Sequence, residues 1–272
     1  MKQQFITKKQ ITNQLTAMGA PTDSVVLVHM SLRAVGAVEG GAEAFLDAMV
    51  EYFTRDGGLL CVPTHTWHNL GKEITLDMAS DETCVGAFST VALRDLRGIR
   101  SENPTHSMVV FGDREKALRF IADEPFVKSS TAPEGCYGKI YSMGGKVLLI
   151  GVAQNKNTYI HAVEELLQIP NRMATRPEKT VIKRLSGELV KRDLLLYYAD
   201  FTEDVSWRFT KYDTAFRYHG CITDGFVGNA PAQLCDGRKM KDTIELIFRT
   251  GKGVDVLKDE EPIPQEFYCK RL

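Results

Sequence analysis

"KVLLIGVAQNKNTYIHAVEE", residues 146–165, decides how the chain folds. Residues 146–152 are a short apolar run that ends in small and polar residues, the pattern of a buried strand. A polar loop follows, and from Asn157 or Thr158, either of which suits a helix cap, an amphipathic helix runs on. Strand, short loop and helix in that order are the unit of an α/β sheet, and open α/β sheets carry their ligands at the carboxyl ends of such strands. His161 and Glu164 fall at that place. A spacing of three sets them on one helical face. A carboxylate beside an imidazole fixes its tautomer and raises its basicity, as a general base near neutral pH requires. Glu165, at i+4, competes for the same role and spacing does not choose between them. A core or capping histidine beside a solvated glutamate is the plain structural alternative.

Outward from this unit the alternation of apolar runs and amphipathic segments continues through the first 170 residues. Thr7 caps a helix that reaches Met18, "VVLVH" (25–29) is a buried strand and "GGAEAFLDAMVEYF" (40–53) a helix. Strands at 58–64 and 108–112 alternate with helices at 86–96 and 113–123. Beyond residue 175 the pattern changes: "TVIKRLSGELVKRDLLLYY" (180–198) reads as a β-hairpin about Ser186-Gly187, and a last helix spans 237–249. The expected fold is α/β, a mixed sheet with flanking helices and a C-terminal antiparallel β-rich part. An α/β part (1–175) and an antiparallel part with a helix (176–272) pack as one compact domain, 1–272.

Composition narrows the partners. Lysine plus arginine number 34 against 35 for aspartate plus glutamate, a net charge of -1, so no global field attracts nucleic acid or an anionic membrane. The six cysteines form no C-x-x-C pair, which argues against a zinc ribbon or a disulfide framework. The polar start "MKQQFITKKQITNQL" lacks the apolar core of a secretory signal, and no stretch has the length of a membrane span. These features describe a cytoplasmic protein with reduced thiols and a small-molecule partner. Nothing in the sequence sets its oligomeric state.

Other motifs gather at strand ends. "LVHMSLRAVGAVEGGAEAF" (27–45) is a strand, a loop with Ser31, Arg33 and glycines, then a helix; such backbone N–H groups with a nearby arginine can hold phosphate oxygens, and a plain strand-to-helix turn is the alternative. "PTHTWH" (63–68) sets His65 and His68 three apart at a strand end without H-E-x-x-H, so these residues line a cleft and hold no metal. Cys136 is a candidate nucleophile for a cysteine-dependent acyltransferase or hydrolase. Asp77, Asp81 and Glu82 form a negative cluster suited to a cationic acceptor, or else an ordinary solvated loop.

Taken in order, "LVHMSLRAVGAVEGGAEA", "VPTHT", "RSENPTHSMVVFG", "GCYGKIYSMGGKVLLIGV" and "NTYIHAVEE" resemble the antibiotic aminoglycoside 3-N-acetyltransferase family. The similarity covers most of the first 170 residues and continues more loosely through "DGFVGNAPAQLCDGRKMKD" (224–242). Its most specific element is N-T-x-x-H-x-x-E, Asn157 to Glu164. The resemblance implies acetyl-CoA as donor and an amino group of an aminoglycoside as acceptor, with no metal and no covalent enzyme intermediate. His161 is then the base that takes the proton of the attacking amine, and Glu164 orients and charge-stabilises it. Ser31, Leu32, Arg33, Ala34 and Val35 lie along CoA, and His29, Thr64 and Ser107 line the channel for its pantetheine arm. The chain departs from the family at 68–84, which lacks a tryptophan- and proline-rich stretch, and at Cys84, where a proline often stands. A non-catalytic CoA-binding module is the rival of a different class.

Overall fold

The computed structural model describes residues 5–80, 82–200 and 203–271. Its strands are β1 (Val25–Met30), β2 (Leu59–Pro63), β3 (Leu76–Asp77), β4 (Ile99–Arg100), β5 (Met108–Phe111), β6 (Lys146–Ile150), β7 (Glu178–Lys183), β8 (Leu189–Leu194), β9 (Ile222–Val227) and β10 (Ala230–Asp236). Its helices are α1 (Lys8–Ala17), α2 (Leu32–Val35), α3 (Gly41–Thr54), α4 (Ala87–Arg94), α5 (Arg114–Ile121), α6 (Cys136–Ser142), α7 (Tyr159–Leu166), α8 (Asp213–Tyr218), α9 (Gly237–Thr250) and α10 (Gln265–Tyr268). A 3-10 helix, Val205–Tyr212, precedes α8.

Seven strands form the main sheet in the order β4-β5-β2-β1-β6-β10-β9. β1 lies at its centre, parallel to β2 and β6, and the outer strands join antiparallel. The fold is the expected mixed α/β sheet with flanking helices. The three parallel strands are almost continuous apolar runs because both faces are covered. Val25 and Leu27 of β1 pack with Val147 and Leu149 of β6 beneath Phe120, Tyr137 and Ile244. Val26 and Val28 pack with Leu148 and Ile150 beneath Leu15, Phe45 and Phe53 on the opposite face. The alternation follows from the period of two along a strand, and each fully buried valine or leucine contributes roughly 1.5–3 kcal/mol.

The hairpin about Ser186-Gly187 forms as β7 and β8, in a second sheet of order β3-β7-β8. Strands from both sides of residue 175 share each sheet: β9 and β10 return to the main sheet beside β6, and β3 contributes to the small one. β9 and β10 have no counterpart in the sequence reading because "ITDGFVGNAPAQLCD" mixes exposed polar residues with glycine and proline, as an edge hairpin does.

β1 and β6 are in register at His29 with Leu149 and Met30 with Ile150, so residues 31–35 and 151–161 leave the sheet side by side. β2 runs the same way and ends at Pro63, while β5 starts opposite it at Met108. Residues 64–68 and 101–107 therefore meet the same edge. One carboxyl edge thus gathers His29, His65, His106 and His161 from four separate segments.

Candidate active site

A cavity of about 940 Å³ opens at that edge, lined by residues that include His29, His65, His106 and His161. Its size sits at the upper end of the usual range for small-molecule sites, roughly 300–1,000 Å³. The His65 and His106 rings are 4.5 Å apart between centroids. His65 Nε2 shares a 2.6 Å hydrogen bond with the Tyr137 hydroxyl, and His106 Nδ1 shares one of 2.8 Å with Thr105 Oγ1. Burial pushes the imidazoles down, His29 to about 3 and His106 to about 4, with His65 well below its ordinary value. At neutral pH these rings are uncharged. Among the described residues, no group of three or more His, Cys, Asp or Glu side chains is arranged to hold a metal ion.

His161 lies in the first turn of α7. Asn157, itself buried, sets that turn: its Oδ1 accepts from Tyr159 N at 3.2 Å while its Nδ2 donates to Gln154 Oε1 at 2.9 Å. Thr158 occupies the cap position without a side-chain hydrogen bond. The His161 ring meets Tyr197 at 4.0 Å and Phe209 at 4.8 Å, both edge to face. Its Nδ1 is buried and has no protein partner, as is also true of His29 Nε2. Desolvation lowers the His161 pKa, followed by His106; Arg172 and His29 push the same way and the Asp204 carboxylate opposes them. The result is a neutral imidazole whose ring borders the cavity.

Glu164 does not hydrogen-bond His161. Fully buried, it accepts from Arg172 Nε at 2.6 Å, from the Tyr212 hydroxyl at 2.8 Å and from the Tyr197 hydroxyl. Arg172 in turn pairs with Asp255, at 2.6 Å from Nη2. Glu165 also points elsewhere, accepting from Ser129 and from Thr131 Oγ1 at 3.0 Å. Neither glutamate is the direct partner that the helical spacing suggests. Spacing fixes direction around the axis, but Tyr197, which touches both the His161 ring and Glu164, comes from a segment distant in sequence.

The other expected site residues divide. His29, Ser31, Leu32 and Arg33 line the cavity. Arg33 is exposed on α2 with no ion pair among the described residues. Ala34 stands behind the lining and Val35 is fully buried in the core. Thr64 and Ser107 lie together beneath the cavity wall: their hydroxyls are 3.0 Å apart, both side chains are fully buried, and Arg100 Nε donates to Ser107 Oγ at 3.2 Å. They brace the wall and do not line a channel.

The acidic cluster is consumed locally. Asp77 pairs with Lys183 at 3.0 Å and Glu82 with His68 at 2.6 Å, and both border a separate small polar cavity of about 140 Å³. Asp81 lies outside the described residues. Cys136 is buried away from the large cavity and burial raises its thiol pKa well above the ordinary value, which removes the thiolate that a nucleophile needs. Tyr197, Phe209 and Asp204 had no periodic signal of their own. The one local cue was Asp204 before "VSW": it caps the 3-10 helix, accepting from Ser206 N at 2.9 Å.

A family described as aminoglycoside 3-N-acetyltransferase matches residues 27–249. Among curated proteins, aminoglycoside N(3)-acetyltransferase III of a Salmonella species is 28% identical over 202 residues, which cover 67% of this chain and 68% of that protein. The prophage-derived aminoglycoside N(3')-acetyltransferase-like protein YokD of Bacillus subtilis is 26% identical, covering 93% of this chain and 96% of its own. Among solved structures, a mutant of the aminoglycoside acetyltransferase AAC(3)-IVa in complex with a gentamicin shares the fold with a TM-score of 0.77 at 26% identity, over 93% of this chain and 91% of that one. A binary complex of AAC-IIIb with CoASH shares it at 0.76 and 20% identity, over 89% and 96%.

Proposed function

The chain belongs to the aminoglycoside 3-N-acetyltransferase family and is an acyltransferase, and from that premise we propose that it moves the acetyl group of acetyl-CoA onto a primary amine of an aminoglycoside or similar amino sugar. The observation that carries the mechanism is His161, a neutral imidazole at the cavity whose Nδ1 has no protein partner. The acceptor ammonium first releases one proton to solvent; the free amine nitrogen then attacks the thioester carbonyl, a C–N bond forms, and the C–S bond breaks with CoA leaving as the thiol. His161 takes the proton from nitrogen as the adduct forms and returns it to sulfur as the adduct collapses. Its lowered pKa keeps it unprotonated and ready for the first transfer. The nitrogen becomes far more acidic once bonded to the carbonyl carbon, which offsets the weakness of the base.

Glu164 supports this step at one remove. It receives the Tyr197 and Tyr212 hydroxyls, and Tyr197 holds the edge of the His161 ring. Arg172 balances its charge. Acetyl-CoA is assigned to the wall of His29, Ser31, Leu32 and Arg33, with the exposed guanidinium toward the phosphates. We read 1–272 as one acetyltransferase unit that works in the cytoplasm; among the described residues no helix is long and apolar enough to cross a membrane. The test is thiol release from acetyl-CoA with a panel of amines, with product mass to identify the modified nitrogen. A protein that binds CoA but releases no thiol with any acceptor is a binding module, and the proposal falls.

A further inference from the structure

The charges around the cavity do not suit a polycation. Arg33 and Lys156 line it with positive charge, Glu203 and Asp204 with negative. Glu203 already pairs with Arg208 at 3.1 Å. Lys156 sits 4.4 Å over the Trp207 ring, near the same rim. Asp77 and Glu82 face the separate small cavity, each holding its own cation or histidine. Asp204 alone of these carboxylates has no ion pair among the described residues. It spends one oxygen on Ser206 N, and its charge favours the imidazolium of His106 and of His161. Asp204 lines the same cavity as His161 and is close enough for its charge to reach that ring, so it can meet an ammonium brought to the base.

Trp67, Leu70, Phe88, Tyr198 and Val205 contribute an apolar and aromatic surface to the cavity, with Trp67 47% and Tyr198 56% exposed. An ammonium taken from water into such a cavity needs a counter-charge or a full set of hydrogen bonds. One free carboxylate satisfies one ammonium. Aromatic faces, in contrast, gain from contact with an apolar ring or the face of a sugar.

We propose that the acceptor carries a single ammonium next to an aromatic or apolar body, with Asp204 as the counter-ion that sets specificity and Trp67, Leu70 and Tyr198 as the seat of the body. This rests on the acetyl-transfer reading and narrows its substrate class to amines of one charge, an aryl-substituted mono-amino sugar among them. An aminoglycoside with several ammonium groups, such as gentamicin, is then a poor acceptor.

The experiment compares kcat/KM by thiol release for 4-nitrophenyl glucosaminide, 2-phenylethylamine and gentamicin, each with saturating acetyl-CoA. The aryl monoamines should exceed gentamicin by about tenfold or more. Asp204→Asn, which keeps the cap, should raise the KM for the aryl monoamines by about tenfold and leave that for acetyl-CoA unchanged. Asp204→Glu should restore part of the loss, and an unchanged urea midpoint shows that the cap has held. Gentamicin used as well as the monoamines, or an acceptor KM untouched by Asp204→Asn, overturns the inference and leaves acetyl transfer standing. No thiol release with any of the three overturns both.

Discussion

His161 draws its chemistry from what surrounds it more than from its neighbour three residues on. Replacing it with alanine should lower kcat by roughly 10²–10⁴ while the acetyl-CoA KM stays near its original value, because a general base acts in the transition state. Near-normal turnover in His161→Ala would end its role as base. Tyr197 and Phe209 pack against the ring; the groups whose charge reaches it are His106, Asp204, Arg172 and His29, and among them Asp204 is the one that favours the imidazolium. Asp204→Asn therefore lowers the His161 pKa further, and the acidic limb of the pH–kcat/KM profile moves to lower pH. Glu164→Gln should leave the limb in place, since its charge is balanced by Arg172 and screened from the ring by Tyr197. It should instead lower stability by roughly 2–4 kcal/mol in urea unfolding, because Arg172 is fully buried and loses one of its two counter-charges. A limb that follows Glu164 and ignores Asp204 would restore the direct pair. The sequence showed that a histidine and a glutamate share a helical face; it had no means of showing that Tyr197 touches both, with Tyr212 also bonded to the glutamate.

At the scale of elements, the strand-loop-helix unit of 146–165 was legible because β6 is buried on both faces and α7 is amphipathic, each with its own period. The same holds for β1, β2 and β5. β9 and β10 were not, since an edge hairpin carries no continuous apolar run, and neither were the positions of Tyr197, Phe209 and Tyr212, which are set by packing against His161 and Glu164 of α7. Gly151 shows how tightly the readable elements join. It leaves β6 with φ +63°, donates its N–H to Pro231 O at 2.8 Å, and an added Cβ would stand 2.4 Å from the Ala34 methyl. Gly151→Ala must strain the backbone or displace α2, on which Leu32 and Arg33 are carried. The expected outcome is a loss of roughly 1–3 kcal/mol in stability together with a raised acetyl-CoA KM. Acceptor KM should change less. A variant with unaltered acetyl-CoA kinetics would show that α2 is not part of the donor site.

The whole molecule carries the cost of bringing four neutral histidines to one sheet edge. His29, His65, His106 and His161 come from four segments, and each has a lowered pKa in the fold. In the unfolded chain an imidazole takes its proton near pH 6.5. Below that pH the unfolded state binds more protons than the folded one, so stability falls as pH falls. The window opens at about 6.5 and extends down to the folded values, about 4 for His106 and about 3 for His29. At pH 5.5 each histidine has cost about 1.4 kcal/mol, and the four together on the order of 5, a large part of the roughly 5–15 kcal/mol that holds a domain folded. Asp77, Asp95 and Asp255 have lowered pKa values from paired lysine or arginine, and their contributions are lost at more acid pH, below the unfolded carboxylate range. The histidine loss therefore comes first. Urea midpoints should fall steeply between pH 7.5 and 5.5, and His29→Gln should recover about 1.4 kcal/mol of the difference between those two pH values because it removes one titrating group. A midpoint that stays flat across that interval would mean that the four rings are solvated in the folded protein, and with them the neutral base on which the acetyl-transfer mechanism depends would be lost.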